Sequence, residues 1–385
     1  MKQITKFYIS SFLKNQTYFV PVFIVILQFY QLNFTEIFLI FTISNVFKLF
    51  VEIPTWMFAD IYGKRRSIQF SKLLIFFSFV WFWFSYNFWT FLVFQILYEL
   101  WNAFRSGTET GYVYDYLQQN PNNPSYTRVK GNQKFYARIW EGIATTLWWF
   151  IAAGINYSAV FFAASIPAFI NFLFALTWEE IYESKKWITK TALINKFQES
   201  YNFIKENAYV VRLIVNVMIF SAGVTAVSRL IQPYMDETMI PIEYFWVVYT
   251  VFLLIAAFAV RYSYIFEEKF WKVIIINLFS IIASLMLLVV GFGYVWILGV
   301  IILFLVITVE NIRSPISNTL FHENISSEKR STLGSTLELG KALAGILMFP
   351  IVGVLSDWFS LYAAVLFISV LLALNSLIFR VYQKL

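Results

Sequence analysis

The feature that most limits what this chain can become is a succession of apolar runs, each about 20 residues long and parted by short polar stretches. An α-helix rises about 1.5 Å per residue, so each run is long enough to cross the ~30 Å hydrocarbon layer of a bilayer. Spans are predicted over 7–30, 36–60, 68–86, 88–117, 129–153, 157–178, 208–232, 241–262, 271–290, 294–320, 331–355 and 360–381. Composition agrees, with 59% apolar and 13% charged residues, where soluble domains carry about half and about a quarter. The expected fold class is an all-α membrane protein of about twelve transmembrane helices. Those spans and their loops occupy nearly all 385 residues, so no soluble domain is expected.

Lys and Arg orient the array. Lys64, Arg65, Arg66 and Lys72, then Arg128, Lys130 and Lys134, then Lys185, Lys186, Lys190, Lys196 and Lys205 all fall on one side. Arg261, Lys269, Lys272, Lys329, Arg330, Arg380 and Lys384 continue the pattern, while the opposite loop near 232–241 carries Asp236 and Glu237. By the positive-inside rule both termini of this multi-pass protein are expected to face the cytoplasm. The net charge of +7 therefore reflects orientation; the cations form short clusters, not the continuous basic face that nucleic acid requires. Cys is absent and His322 is the single histidine, which removes disulfides, thiol nucleophiles and the usual zinc sets. No cofactor or metal is expected. A membrane transferase would need a nucleophile or metal cluster at one leaflet, and the spacing of acidic and His residues supplies none, so an enzyme is not expected.

Residues 179–207 form the longest polar segment, rich in Glu and Lys, and divide the chain into bundles at 1–178 and 208–385 with a cytoplasmic connector between them. Arg105-Ser106-Gly107 followed by Asp115 recurs as Arg313-Ser314-Pro315 followed by Glu323, both at an offset of 208 residues. Such a repeat is expected if the fourth and tenth helices correspond in two parallel six-helix halves. Trp81, Trp83, Tyr86 and Trp89 crowd one boundary, where amphipathic rings anchor in the headgroup layer.

Ionisable groups inside spans cost about 2.5–3.5 kcal/mol each on insertion scales, so they are expected to face a cavity or a partner. Lys14 and Lys48 lie at mid-membrane depth, and Glu52 sits one turn from Lys48 on the same helical face. A local ion pair and a cavity-facing, proton-responsive Glu52 both fit. Asn102, Arg105 and Glu109 share a narrow face of the fourth span, with Glu99 roughly 9 Å deeper than Arg105. A poorly solvated Glu99 can load and release a proton, or serve as a permanently paired packing group. Arg138 with Glu141, Glu310 with Arg313, and Glu338 with Lys341 are pairs three residues apart that can meet on one helix face. Arg229 lies near a span end, from which it can snorkel to the headgroups.

Glu52-Ile53-Pro54-Thr55-Trp56-Met57-Phe58-Ala59-Asp60-Ile61-Tyr62-Gly63-Lys64-Arg65-Arg66-Ser67 joins the second and third spans. Its Ala-Asp-x-x-Gly-Lys-Arg-Arg spacing resembles the loop signature of the major facilitator superfamily, and the span count and six-plus-six division extend the likeness along the chain. Glu52 to Thr55, Ser106-Gly107-Thr108, Tyr114-Asp115, Arg313-x-Pro315, Asn318 and Arg330-Ser331-Thr332 look like a bacterial branch of drug-efflux-like or uncharacterised members. The resemblance implies two pseudo-symmetric six-helix bundles around a solute site. It also implies a gating role for Asp60, Gly63, Lys64, Arg65 and Arg66, whose ion pairs form and break between conformations. Trp56 replaces the first glycine of that signature, and the second half, near Val260 to Lys272, lacks the pattern.

The expected function is secondary active transport of a small organic, amphiphilic solute, by proton-coupled efflux. Uptake of a nutrient or metal chelate, and a lipid-moving or non-transporting receptor of the same fold, are the alternatives. The proton-coupling candidates are Glu99, Glu52 and Glu109. Lys14, Lys48, Asn102, Arg105, Arg138, Glu141, Glu310, Arg313, Glu338 and Lys341 are the cavity candidates. The partners are the solute, protons and the bilayer, and the expected state is a monomer. Single cysteines at Asn120, Lys190 and Ile325 should react with an impermeant thiol reagent only from the cytoplasmic side; labelling from outside would overturn this topology.

Overall fold

In the computed structural model the described residues are 2–14, 16, 19, 22–105, 108–119, 129, 132–133, 137, 141, 143–144, 159–181, 207–261, 269–293, 296–324 and 330–382. They are helical almost throughout. The helices are α1 (Gln3–Lys14), α2 (Phe23–Phe29), α3 (Phe34–Tyr62), α4 (Lys64–Trp83), α5 (Phe88–Arg105), α6 (Thr108–Gln119) and α7 (Ala159–Leu176). They continue as α8 (Ala208–Glu237), α9 (Phe245–Arg261), α10 (Lys272–Gly291), α11 (Trp296–Glu323), α12 (Arg330–Trp358) and α13 (Leu361–Ile378).

Eleven of the expected spans meet a helix or a pair of helices. The one expected over 7–30 is two pieces, α1 and α2, and the one over 88–117 is α5 followed by α6. The span expected over 129–153 and most of the connector at 179–207 lie outside the described residues. Among the described residues, seven helices are long and apolar enough to cross a membrane by length and composition. The others are short or polar for that test: α9 has 17 residues, and α4 carries Lys64, Arg65, Arg66 and Lys72.

The described chain groups into two compact units. The first holds residues within 1–32, 46–187 and 243–253; the second holds those within 33–45, 188–242 and 254–385. One end of the first unit is an aromatic plug, in which Phe82 stacks on Phe161 with ring centroids 3.4 Å apart and Phe19 stacks on Phe161 at 4.4 Å. At its other end Phe7, Tyr112 and Trp178 pack together, and Gln3 ties them by donating to the Tyr112 hydroxyl at 3.5 Å and accepting from Glu179 N at 3.3 Å. Trp81, Trp83, Tyr86 and Trp89 are exposed, where rings that anchor in headgroups must be.

The second unit is held by amide and hydroxyl side chains that bond to backbone groups of neighbouring helices. Ser284 on α10 and Ser369 on α13 donate to each other's carbonyls at 2.9 and 2.8 Å. Asn277 donates to Val381 O at 2.7 Å and accepts from Val381 N at 3.1 Å, fixing the end of the chain to α10. The N-terminal half of α3 also belongs to this unit. Its first-turn amides have no carbonyl partner within the helix, and side chains take them all. Asn33 and Glu36 form a reciprocal capping box at 2.8 and 3.0 Å. The Asp357 carboxylate accepts from Phe34 N at 2.8 Å, from Thr35 N at 2.7 Å and from the Thr35 hydroxyl at 2.6 Å. Gly353, one turn before Asp357, permits this approach, because a Cβ there would lie 2.9 Å from Thr35 Cα.

Asp357→Ala should therefore lower stability by about 1–2 kcal/mol. Gly353→Ala should lower it at least as much, because a backbone atom has to move. Thermal unfolding in detergent measures both, and unchanged midpoints would show that this contact does not hold α3 in place.

Candidate functional site

The loop at 63–66 is built by Gly63. α3 ends at Tyr62 and α4 begins at Lys64, and Gly63 reverses the chain at φ +92°, a conformation that costs side-chain-bearing residues dearly. The turn aims Lys64 at Asp115 of α6 in an ion pair. Arg65 pairs with Glu180 and donates to Leu176 O at 2.9 Å. Both partners belong to the first unit, so these ion pairs tie α4 to α6 and to the end of α7. Arg66 is exposed. Asp60 lies in α3, and its side chain, like that of His322, is outside the described residues.

Inside the first unit the charged residues of the spans meet in a continuous relay. Lys48 pairs with Glu99 at 3.2 Å, and Glu99 also accepts from Gln95 at 3.4 Å and Asn102 at 3.5 Å. The Asn102 side-chain Oδ1 accepts from Arg105 at 2.9 Å, and Arg105 reaches Glu109 at 3.7 Å. Glu109, buried, meets Lys14 at 3.7 Å and Lys72 at 3.4 Å on its remaining sides. The helical face that joins Asn102, Arg105 and Glu109 in the sequence is thus the backbone of the relay. The partner of Lys48 differs from the local pairing considered for it: it is Glu99 across on α5. Glu52 is buried and engaged in contacts of its own. The reason is packing: the Thr55 hydroxyl sits 3.4 Å from Ala103 O, so α3 lies against α5 here and Lys48 finds a carboxylate on that helix.

Lys72, one of the cations expected on the cytoplasmic side, is fully buried and paired with Glu109, a role in the site that its charge alone did not suggest. The available signal was its place two turns into α4, beyond the water-facing Lys64 to Arg66 cluster.

In the second unit Glu310 and Arg313 pair at 3.6 Å, as their spacing suggests. Arg313 is fully buried: it donates to Asn216 Oδ1, reaches Ile276 O at 3.4 Å, and lies 4.0 Å from the Phe220 ring centroid. Asn216 in turn donates to Phe379 O at 3.1 Å and its carbonyl accepts from Asn375 at 3.0 Å. Arg313 is thus the centre of a packing network joining α8, α10, α11 and the end of α13. The Arg229 guanidinium lies 3.8 Å from the Phe41 ring centroid and 4.3 Å from that of Phe349. Lys341 and Glu141 are half-buried. Arg138 and the Glu338 side chain lie outside the described residues. Among the described residues no group of His, Cys, Asp or Glu could hold a metal.

No family model matches this chain, and no curated protein matches it. Solved structures do. The nucleoside transporter NupG superposes with a TM-score of 0.76 at 12% identity over 98% of each chain. A bacterial homologue of the human lysosomal transporter Spinster gives 0.78 at 14% identity, covering 98% of this chain and 95% of that one. A D-xylose-proton symporter gives 0.72 at 11%, covering 98% and 95%. This chain has the major facilitator fold. Within that fold Lys14, Lys48, Lys72 and Arg105 of the first unit converge on Glu99 and Glu109.

Glu109→Gln would leave Lys14, Lys72 and Arg105 without their shared carboxylate, at a cost of about 3–5 kcal/mol. Adding Lys72→Met should restore part of that loss, because the two sites share one contact. Thermal unfolding of both variants in detergent checks the sign and the coupling.

Proposed function

We propose that this chain is a secondary active transporter, moving a small organic, amphiphilic solute across the cytoplasmic membrane by proton-coupled efflux. The observation that carries the proposal is the relay from Lys48 through Glu99, Asn102 and Arg105 to Glu109, Lys14 and Lys72. Four cations and two carboxylates inside apolar helices are expensive for a protein that only sits in lipid, and membrane proteins keep such groups for ion and solute pathways. The fold supports it, since the three structures described above are all transporters and one is a proton symporter.

In this reading Glu99 is the first candidate to carry the proton. Its carboxylate is held by one cation and two amides, so Lys48 can release it or recapture it as hydration changes. Glu52 and Glu109 follow as candidates. Asp60, Gly63 and the loop cations gate the cytoplasmic side, with Lys64 and Arg65 exchanging their partners Asp115 and Glu180 during the cycle. Both termini face the cytoplasm, and the working unit is the monomer. The amphiphilic character of the solute follows from charged groups set beside aromatic ones, as where Arg105 lies 5.0 Å from the Trp101 ring centroid.

Reconstituted protein with an imposed pH gradient should move solute outward against its gradient, as followed by a pH-sensitive dye and labelled solute. Glu99→Gln should abolish the pH dependence of that flux while leaving solute binding within a few-fold. Retained proton coupling in this variant would transfer the role to Glu52.

A further inference from the structure

The second unit ends in a short extension past α13 that is fixed at several points. Phe379 O accepts from Asn216 of α8 at 3.1 Å, and Asn277 of α10 bonds both the N and the O of Val381, at 3.1 and 2.7 Å. Val381 is buried in a cluster with Val210, Ile276 and Phe321, while its neighbours Arg380 and Tyr382 are exposed. Arg212, in the second turn of α8, is exposed beside them. Its guanidinium lies 5.4 Å from the centroid of the Tyr382 ring, and that of Arg380 lies 6.0 Å from the same centroid.

Basic residues at the end of a span are ordinary, because they set orientation. Orientation does not require that two of them converge on one ring while neither takes a carboxylate. Among the described residues neither Arg212 nor Arg380 is in an ion pair, whereas Arg65, Arg105 and Arg313 each meet a glutamate. Glu323, at the same end of the unit, is taken by Lys272. Like charges brought together repel, so an anion that bridges the two arginines is favoured there.

The surroundings indicate which anion. α13 is long and apolar enough to cross a membrane and ends at Ile378, so Arg380 and Tyr382 stand at the depth of the headgroups. Val370, Leu374, Leu377 and Ile378 recur at helical spacing on one face of α13, and all four are exposed. They form a lipid-facing stripe that runs to the arginines. A guanidinium fork matches a phosphate in bidentate fashion, and a tyrosine hydroxyl at headgroup depth adds a donor. A soluble anion would use the cations and leave the stripe; a phospholipid uses both.

We propose that Arg212, Arg380 and Tyr382 form a binding site for the headgroup phosphate of an anionic glycerophospholipid, with an acyl chain lying along Val370, Leu374, Leu377 and Ile378. The site requires only that the chain sits in a membrane, so it stands apart from the transport reading.

The test uses the full chain purified in a neutral detergent, with dioleoyl phosphatidylglycerol as the anionic probe, dioleoyl phosphatidylcholine as the zwitterionic one and glycerol 3-phosphate as a free headgroup. Native mass spectrometry should show phosphatidylglycerol bound at least about ten-fold more tightly than phosphatidylcholine. A basic residue near an anionic headgroup is worth about five-fold in affinity, so Arg212→Gln and Arg380→Gln should each weaken phosphatidylglycerol by that factor and leave phosphatidylcholine unchanged. Arg212→Lys and Arg380→Lys, which keep the charge and lose the fork, should each weaken it by about two-fold. Lys269→Gln removes an exposed cation just before α10 and should change nothing. Equal binding of the two lipids, or phosphatidylglycerol binding untouched by the arginine variants, would overturn the site. A loss as large in Lys269→Gln would also overturn it, by showing a diffuse attraction to charge. Glycerol 3-phosphate competing as well as phosphatidylglycerol itself would overturn the assignment to lipid.

Discussion

The structure depends on one constraint: inside hydrocarbon no water is available to satisfy a polar group, so each must find its partner within the protein. Helices meet this demand for the backbone except at their ends and at proline. The ends of this chain's helices are accordingly where its polar side chains work hardest. Asp357, Asn33 and Glu36 together take the first amides of α3, Asn207 caps α8 at 3.3 Å, and Ser360 caps α13 at 3.1 Å.

The two units meet the same constraint with different chemistry. The second uses mostly neutral amides and hydroxyls bonded to backbone carbonyls, plus an enclosed Glu310–Arg313 ion pair whose arginine also reaches Asn216 and Ile276. Neutral groups are cheap to bury when bonded. The first concentrates full charges around Glu99 and Glu109, where each charge is held by an opposite one within 4 Å.

Much of this was legible beforehand. Helix lengths, and the face shared by Asn102, Arg105 and Glu109, follow from local geometry, because hydrophobic length and a 3.6-residue period are written along the chain. Gly63 as the reversal point was equally readable from its place between an apolar helix and three cations. Partner choice was not. Lys48 could pair with Glu52 on its own helix or with a carboxylate on another, and the sequence offers nothing to rank them. The burial of Lys72 beside Glu109 was not readable because charge alone does not report depth, nor was the packing of Arg229 on Phe41 and Phe349, which are remote from it in the chain.

By itself the sequence determined that this is a helical membrane protein, how long its helices are, and which residues lipid would reject. Those properties come from transfer energies and helix pitch, both of which act over neighbouring residues. The tertiary structure alone decided which rejected residues meet: Lys14, Lys72, Arg105 and Glu109 come from four helices, and Asp357 finds the start of α3 more than three hundred positions away in the chain. Such meetings are set by how helices cross, and crossing is a property of whole packed surfaces that no local stretch encodes.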